Sequence, residues 1–132
     1  MLWRRLRCGL DAAYLDRITL NKSGRGGGYM STRLKQLEAL AENDPDDPFI
    51  QYAIALEYVS NGRLEEAAET LEHLIVKAPN YSAGYHQAGR VYEQLDRLDD
   101  ARRCYEKGVV VAEREGDGKD RDEMQGALMM LD

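Results

Sequence analysis

Apolar residues recur along most of this chain at the three- to four-residue spacing of a helix face. Phe49, Tyr52, Ala53, Leu56 and Val59 follow that spacing, and Asp46 and Asp47 precede Pro48. Acids ahead of a proline predict a helix start with Pro in the first turn. Asn61-Gly62 predicts its end, because both residues tolerate the left-handed conformation. Leu64, Ala67, Ala68, Leu71, Leu74 and Ile75 predict a second helix, which Ala78-Pro79-Asn80 stops. The plan then recurs as a helix from Ala83 to Gln94, a tight turn at Leu95-Asp96-Arg97 and a helix from Leu98 to about Glu115. Upstream, Leu34, Leu37 and Leu40 predict a helix over 31–43. Downstream of Gly116-Asp117-Gly118, the stripe Met124, Ala127, Leu128 and Leu131 predicts one from Lys119 to Leu131.

The recurrence has a fixed period. Pro45 and Pro79 are 79 − 45 = 34 residues apart. The same shift places Ala55 on Gly89, Tyr58 on Tyr92, Ala67 on Ala101, Leu71 on Tyr105 and Glu72 on Glu106. Small, aromatic and proline residues recurring together mark a repeat architecture. The units are 48–81 and 82–115, each a pair of helices. Ala55 and Gly89 fall where the helices of a pair must cross closely. Ala67 and Ala101 are expected to supply the facing small surface, with Tyr58 and Tyr92 filling the space beside it. A larger residue at Gly89 is expected to push the pair apart at a cost of roughly 1–3 kcal/mol.

This series of small, aromatic, alanine and proline positions resembles the tetratricopeptide repeat family over 48–115, and more loosely over 31–132. Two positions depart from the family pattern. Its early tryptophan is Gln51 in one unit and Tyr85 in the other, and the second unit carries Glu113 in place of the closing proline. The resemblance implies an all-α fold, an antiparallel helix-pair solenoid. It would comprise a half repeat at 31–47, repeats at 48–81 and 82–115, and a capping helix at 118–131 within a domain of 30–132. Repeat stacks need roughly three units or caps to bury enough surface, and this set meets that requirement.

The family binds proteins in a groove lined by the first helix of each unit. The matching positions are Phe49, Tyr52, Leu56 and Ser60 in one unit and Ala83, His86, Arg90, Glu93 and Gln94 in the other. Their mixture of aromatic, apolar and charged groups suits an extended peptide or an amphipathic helix. Some family members grip a C-terminal carboxylate with Lys, Asn and Arg. The matching places here hold Tyr52, Leu56, His86 and Arg90, of which only Arg90 suits, so no such clamp is expected. Several groove candidates, Phe49 and Leu56 above all, could instead serve only to pack against a neighbouring helix. The expected role is that of a protein-interaction scaffold; the alternative is a unit that self-assembles, as a homo-oligomer through the terminal helix or the groove.

Charge divides the chain. Residues 1–29 hold six basic and two acidic side chains, 6 − 2 = +4, leaving −6 − 4 = −10 for the remainder. So acidic a domain lacks the clustered cations that phosphate contacts require, so nucleic acid is not expected as a partner, and basic partners are favoured. No apolar run reaches the roughly 18 residues that span a bilayer, so no membrane partner is expected. Cys8 and Cys104 form no disulfide framework, which points to a reducing cytoplasm. The basic segment is broken by Gly24, Gly26, Gly27 and Gly28. It reads as a disordered tail, as an organellar targeting peptide, or as untranslated sequence ahead of a true start at Met30; the last is the reading adopted.

Enzyme chemistry finds little support. The glycine run follows no strand pattern, so it does not match a dinucleotide loop. His73 and His86 are the two histidines and fall on different helices. Cys104 is expected to pack as a small apolar residue. Asp117, Asp120, Asp122 and Glu123 lack calcium-loop spacing and are expected to serve the start of the last helix. No catalytic residue, cofactor or metal is assigned.

Overall fold

An acid or a proline stands in the first turn of four of the helices. The computed structural model describes residues 32–131, which form six helices. These are α1 (Thr32–Asn43), α2 (Pro48–Ser60), α3 (Leu64–Lys77), α4 (Ser82–Gln94), α5 (Leu98–Glu115) and α6 (Gly118–Leu131). No strand occurs among the described residues. The all-α reading holds, with α2–α3 and α4–α5 as the two helix pairs. The readings of 1–29 lie outside the described residues. At the start of α2 the Asp47 carboxylate accepts a hydrogen bond from the Phe49 amide at 2.9 Å, with Pro48 in the first turn.

The turns within the pairs are built alike. The Arg63 amide donates to the Tyr58 carbonyl at 2.8 Å, and the Arg97 amide to the Tyr92 carbonyl at 2.8 Å. Such a bond closes a helix whose next residue is left-handed. Gly62 takes that conformation in the first turn (φ 75°) and Asp96 in the second (φ 59°). Asn61, expected to share the task, stays right-handed at φ −91°. One left-handed residue suffices for this closure, and Gly62 supplies it without a Cβ penalty. Each turn arginine then lies over the tyrosine whose carbonyl it uses, Arg63 at 5.0 Å from the Tyr58 ring and Arg97 at 4.8 Å from the Tyr92 ring.

The core follows the period. Ala55, Tyr58, Ala67 and Leu71 of the first pair are buried, as are Gly89, Tyr92, Ala101 and Tyr105 of the second. The group that faces Gly89 is the Tyr105 ring, not Ala101. A Cβ on Gly89 would stand 2.6 Å from Tyr105 Cζ. Tyr105 lies one helical turn beyond Ala101, so the second pair fills with an aromatic ring where the first has Leu71.

Outer helices complete the stack. In α1 the buried residues are Leu34 and Glu38, with Leu37 and Ala41 packed beside them. Leu40, expected on the same face, is 52% exposed. Leu34, Leu37, Glu38 and Ala41 keep the three- and four-residue spacing of one face, and Leu40 falls off it. In α6 Met124 is fully buried, and Ala127, Leu128 and Leu131 pack against the core. That stripe matches the sequence reading. Cys104 is fully buried and behaves as a small apolar residue.

A charged group sits inside this core. Glu72 on α3 is 1% exposed and its Oε2 accepts from the Tyr92 hydroxyl at 2.6 Å and from Arg103 Nη2 at 2.6 Å. Three helices, α3, α4 and α5, are thereby pinned at one carboxylate. The Glu106 that matches Glu72 by period is exposed, so the network exists only between the two units.

Candidate binding groove

Helix α2 is apolar on two faces. One carries Ile54, Ala55 and Tyr58 into the core. The other carries Phe49, Tyr52 and Leu56, of which Phe49 is 67% and Leu56 38% exposed. Tyr52 is half-buried and meets the Tyr81 ring edge-on, with centroids 5.7 Å apart. Ser60 continues this helix and is exposed.

The α4 candidates divide into free and engaged groups. Arg90, Glu93 and Gln94 are exposed, and Arg90 makes no ion pair among the described residues. Ala83 and His86 are half-buried. Glu93 accepts a hydrogen bond from the Tyr105 hydroxyl. His86 Nδ1 lies 3.0 Å from Asp120 Oδ1 and 3.7 Å from Glu123 Oε1. Ser82 donates to Asp120 Oδ2 at 3.1 Å and to Asp117 Oδ2 at 3.3 Å. The first turn of α6 thus lies against the first turns of α4 through polar groups. Burial raises the Tyr52 phenol pKa, the Asp120 charge adds to the rise, and Arg90 opposes it.

Sequence reasoning named His86 but missed Asp120 and Glu123 as its partners, the Ser82 that shares Asp120, and the Tyr81 ring beside Tyr52. A signal was available for one of them. The repeat period carries Tyr52 to His86, 52 + 34 = 86, and His86 to Asp120, 86 + 34 = 120. Ending the repeat at residue 115 hid the third step.

Tyrosine titration probes this region. Burial pushes the Tyr105 phenol well above its usual value, and its hydrogen bond to Glu93 adds to the effect. Burial likewise raises Tyr52, Tyr81 and Tyr85. Unfolded phenols ionise near pH ~10, whereas these ionise at higher pH in the folded chain. Their stabilising contribution is therefore complete below about pH 10 and is lost as pH rises through the folded values. Thermal melts across the alkaline range should show a steady midpoint up to about pH 9 and a steep fall above 10. Tyr105→Phe should make that fall shallower.

A second hollow, about 390 Å³, is lined by Pro79, Tyr85, Glu106, Lys107, Val110, Val111 and Arg114. It involves none of the groove candidates. No helix among the described residues is long and apolar enough to cross a membrane.

Comparison with known proteins decides the family. A tetratricopeptide repeat family pattern matches residues 29–95, and a second one matches 82–111. The chain belongs to the tetratricopeptide repeat family. It is 29% identical over 99 residues to the TPR repeat-containing protein PA0015 of Pseudomonas aeruginosa, spanning 75% of this chain and 94% of that one. Among solved structures it resembles a tetratricopeptide repeat domain protein of Salinibacter ruber, with 39% identity and a TM-score of 0.62 over 64% of this chain and 94% of that one. The fold also matches PcrH, solved in complex with the chaperone binding region of PopD. There the TM-score is 0.69 at 16% identity, over 93% of this chain and 94% of PcrH. Tetratricopeptide repeat domains are in general protein-interaction modules.

Proposed function

We propose that this tetratricopeptide repeat chain is a non-enzymatic, cytoplasmic scaffold that receives a peptide or helix of a partner protein across α2 and α4. One observation carries the reading. Phe49 and Leu56 form an exposed apolar face that the core does not use, with the half-buried Tyr52 between them packed against the core edge. Exposed apolar patches on folded domains mark interaction sites. Apolar side chains of the partner would lie on this face, and an acidic side chain would meet Arg90. Asp120 and Glu123 stand beside His86, one turn from Arg90 along α4, and disfavour the terminal carboxylate of a clamp-type ligand. The PcrH complex supports the reading by analogy, since a tetratricopeptide-like stack there holds a segment of another protein. An interface of this size buries at most about 800 Å² per partner, which fits moderate, transient affinity.

Capture from lysate of the source cells tests this. The full chain serves as bait beside its Tyr52→Ala/Arg90→Glu variant, with bound proteins identified by mass spectrometry. A protein held by the wild type and lost by the variant is expected. Arg90→Glu alone should weaken binding about tenfold, an effect of about 1.4 kcal/mol, and leave the melting temperature unchanged. Undiminished binding by the single variant would place the site elsewhere.

Self-association is a second reading with its own observation. Met129 and Met130 on α6 are 77% and 86% exposed. Light scattering after size exclusion separates the two. The scaffold reading expects a monomer at micromolar concentration, and a stable dimer would favour assembly through α6.

A further inference from the structure

The first turn of α6 meets α4 through a cluster that includes one groove candidate, His86. His86, Asp120 and Glu123 each offer a ligand atom, and these atoms all lie within 4.8 Å of one another. Among the described residues they are the one group of metal-ligating side chains so placed. They come from two helices and combine a ring nitrogen with two carboxylate oxygens.

We propose that His86, Asp120 and Glu123 form a binding site for a divalent transition-metal ion of the zinc class, which ties α6 to α4. Ligand spacing fits such an ion. Bonds of roughly 2.0–2.2 Å in tetrahedral geometry put neighbouring ligand atoms about 3.4 Å apart. The pairs His86–Asp120 at 3.0 Å and His86–Glu123 at 3.7 Å bracket that value, so small side-chain rotations complete the set. Donor chemistry selects the metal: imidazole suits zinc, copper, iron and nickel, whereas calcium and magnesium take oxygen ligands. Support from outside the ligand set is in place. Ser82 donates to the Oδ2 of Asp120, leaving Oδ1 directed at His86. His86 and Asp120 side chains are each 18% exposed, and the Glu123 side chain is 48% exposed. The site is thus closed toward the stack and open toward solvent on the Glu123 side, where a fourth ligand can enter.

The consequence is mechanical. Met124 is the one buried residue of α6, and its N-terminal turn is held to α4 by polar contacts. A bound ion would fix that turn and hold His86 in place beside Arg90. This inference does not depend on the peptide reading, since its test needs no partner.

Isothermal titration of the chelator-stripped full chain with Zn²⁺ provides the test, with thermal melts in parallel. One ion per chain is expected, with a higher melting temperature when Zn²⁺ is present. His86→Ala and Asp120→Asn should each weaken Zn²⁺ binding at least about tenfold and abolish the thermal shift. Circular dichroism of both metal-free variants should match the wild type. Co²⁺ substitution should give visible absorption bands that His86→Ala loses. Absence of Zn²⁺ binding at micromolar concentration overturns the proposal. So does undiminished binding by His86→Ala, which would move the ion to Cys8 or to carboxylates alone. Equal binding of Ca²⁺ and Zn²⁺ also overturns it, because the ring nitrogen would then play no part.

Discussion

Gly89→Leu is expected to lower the melting temperature by roughly 10 °C or more, or to leave the chain unfolded. Even a single added carbon at Gly89 would meet the Tyr105 ring at 2.6 Å, far inside any real contact. Tyr105 cannot step aside at low cost. It is 1% exposed, and its hydroxyl is tied to Glu93 on the same helix as Gly89. Helices α4 and α5 must therefore separate, and overpacking of this kind costs about 1–3 kcal/mol and sometimes more. Replacing a helical glycine gains back up to about 1 kcal/mol of propensity, so a control must carry the same gain. Gly126 on α6 provides it, since a Cβ there meets nothing within 4 Å. Gly126→Leu should leave the melt unchanged or raise it slightly. Equal melts for the two variants would remove the close helix crossing from the account.

Arg103→Ala is expected to cost about 2–4 kcal/mol, measured by urea unfolding. The Glu72 carboxylate is 1% exposed and would lose its ion pair of 2.6 Å while remaining buried. Removing one partner of a buried pair costs about 3–5 kcal/mol. The lower range applies because Tyr92 still donates to Glu72 and because the Arg103 side chain is 21% exposed. Glu72→Gln/Arg103→Ala should recover most of the loss, since the amide oxygen still accepts from Tyr92 and no charge remains to desolvate. If the double variant is as unstable as the single one, packing by the Arg103 stem, and not charge, is what matters there.

These effects trace back to features unequally visible in the sequence. The 34-residue period showed which positions of each helix pair enter the core, because size and shape recur at fixed offsets, although it set Ala101 against Gly89 where Tyr105 stands. Gly89 and Tyr92 are buried as expected on that ground, and Cys104 packs as the small apolar residue that a free cysteine resembles. Position within a helix face was harder to read. Leu40 looked like core because it is apolar, yet it lies off the Leu34–Glu38 face. Asp96 in the left-handed region was hidden because the turn demands the conformation and glycine is only the easiest way to meet it. The polar cluster at His86 was hidden for another reason. Its carboxylates sit more than thirty residues away on α6, and acids at a helix start already have a local explanation. Phe49 and Leu56 were ambiguous between packing and display, and their exposure favours display.

The most direct test of the binding surface is photo-crosslinking from defined positions in lysate of the source cells. The full chain would carry p-benzoylphenylalanine in place of Phe49 on α2 or, separately, in place of Val110 on α5. Both side chains are more than half exposed, at 67% and 52%, so accessibility is comparable. The account predicts that position 49 captures another protein and that position 110 does not. Capture from position 110 alone would contradict it and move the partner to the α5 surface.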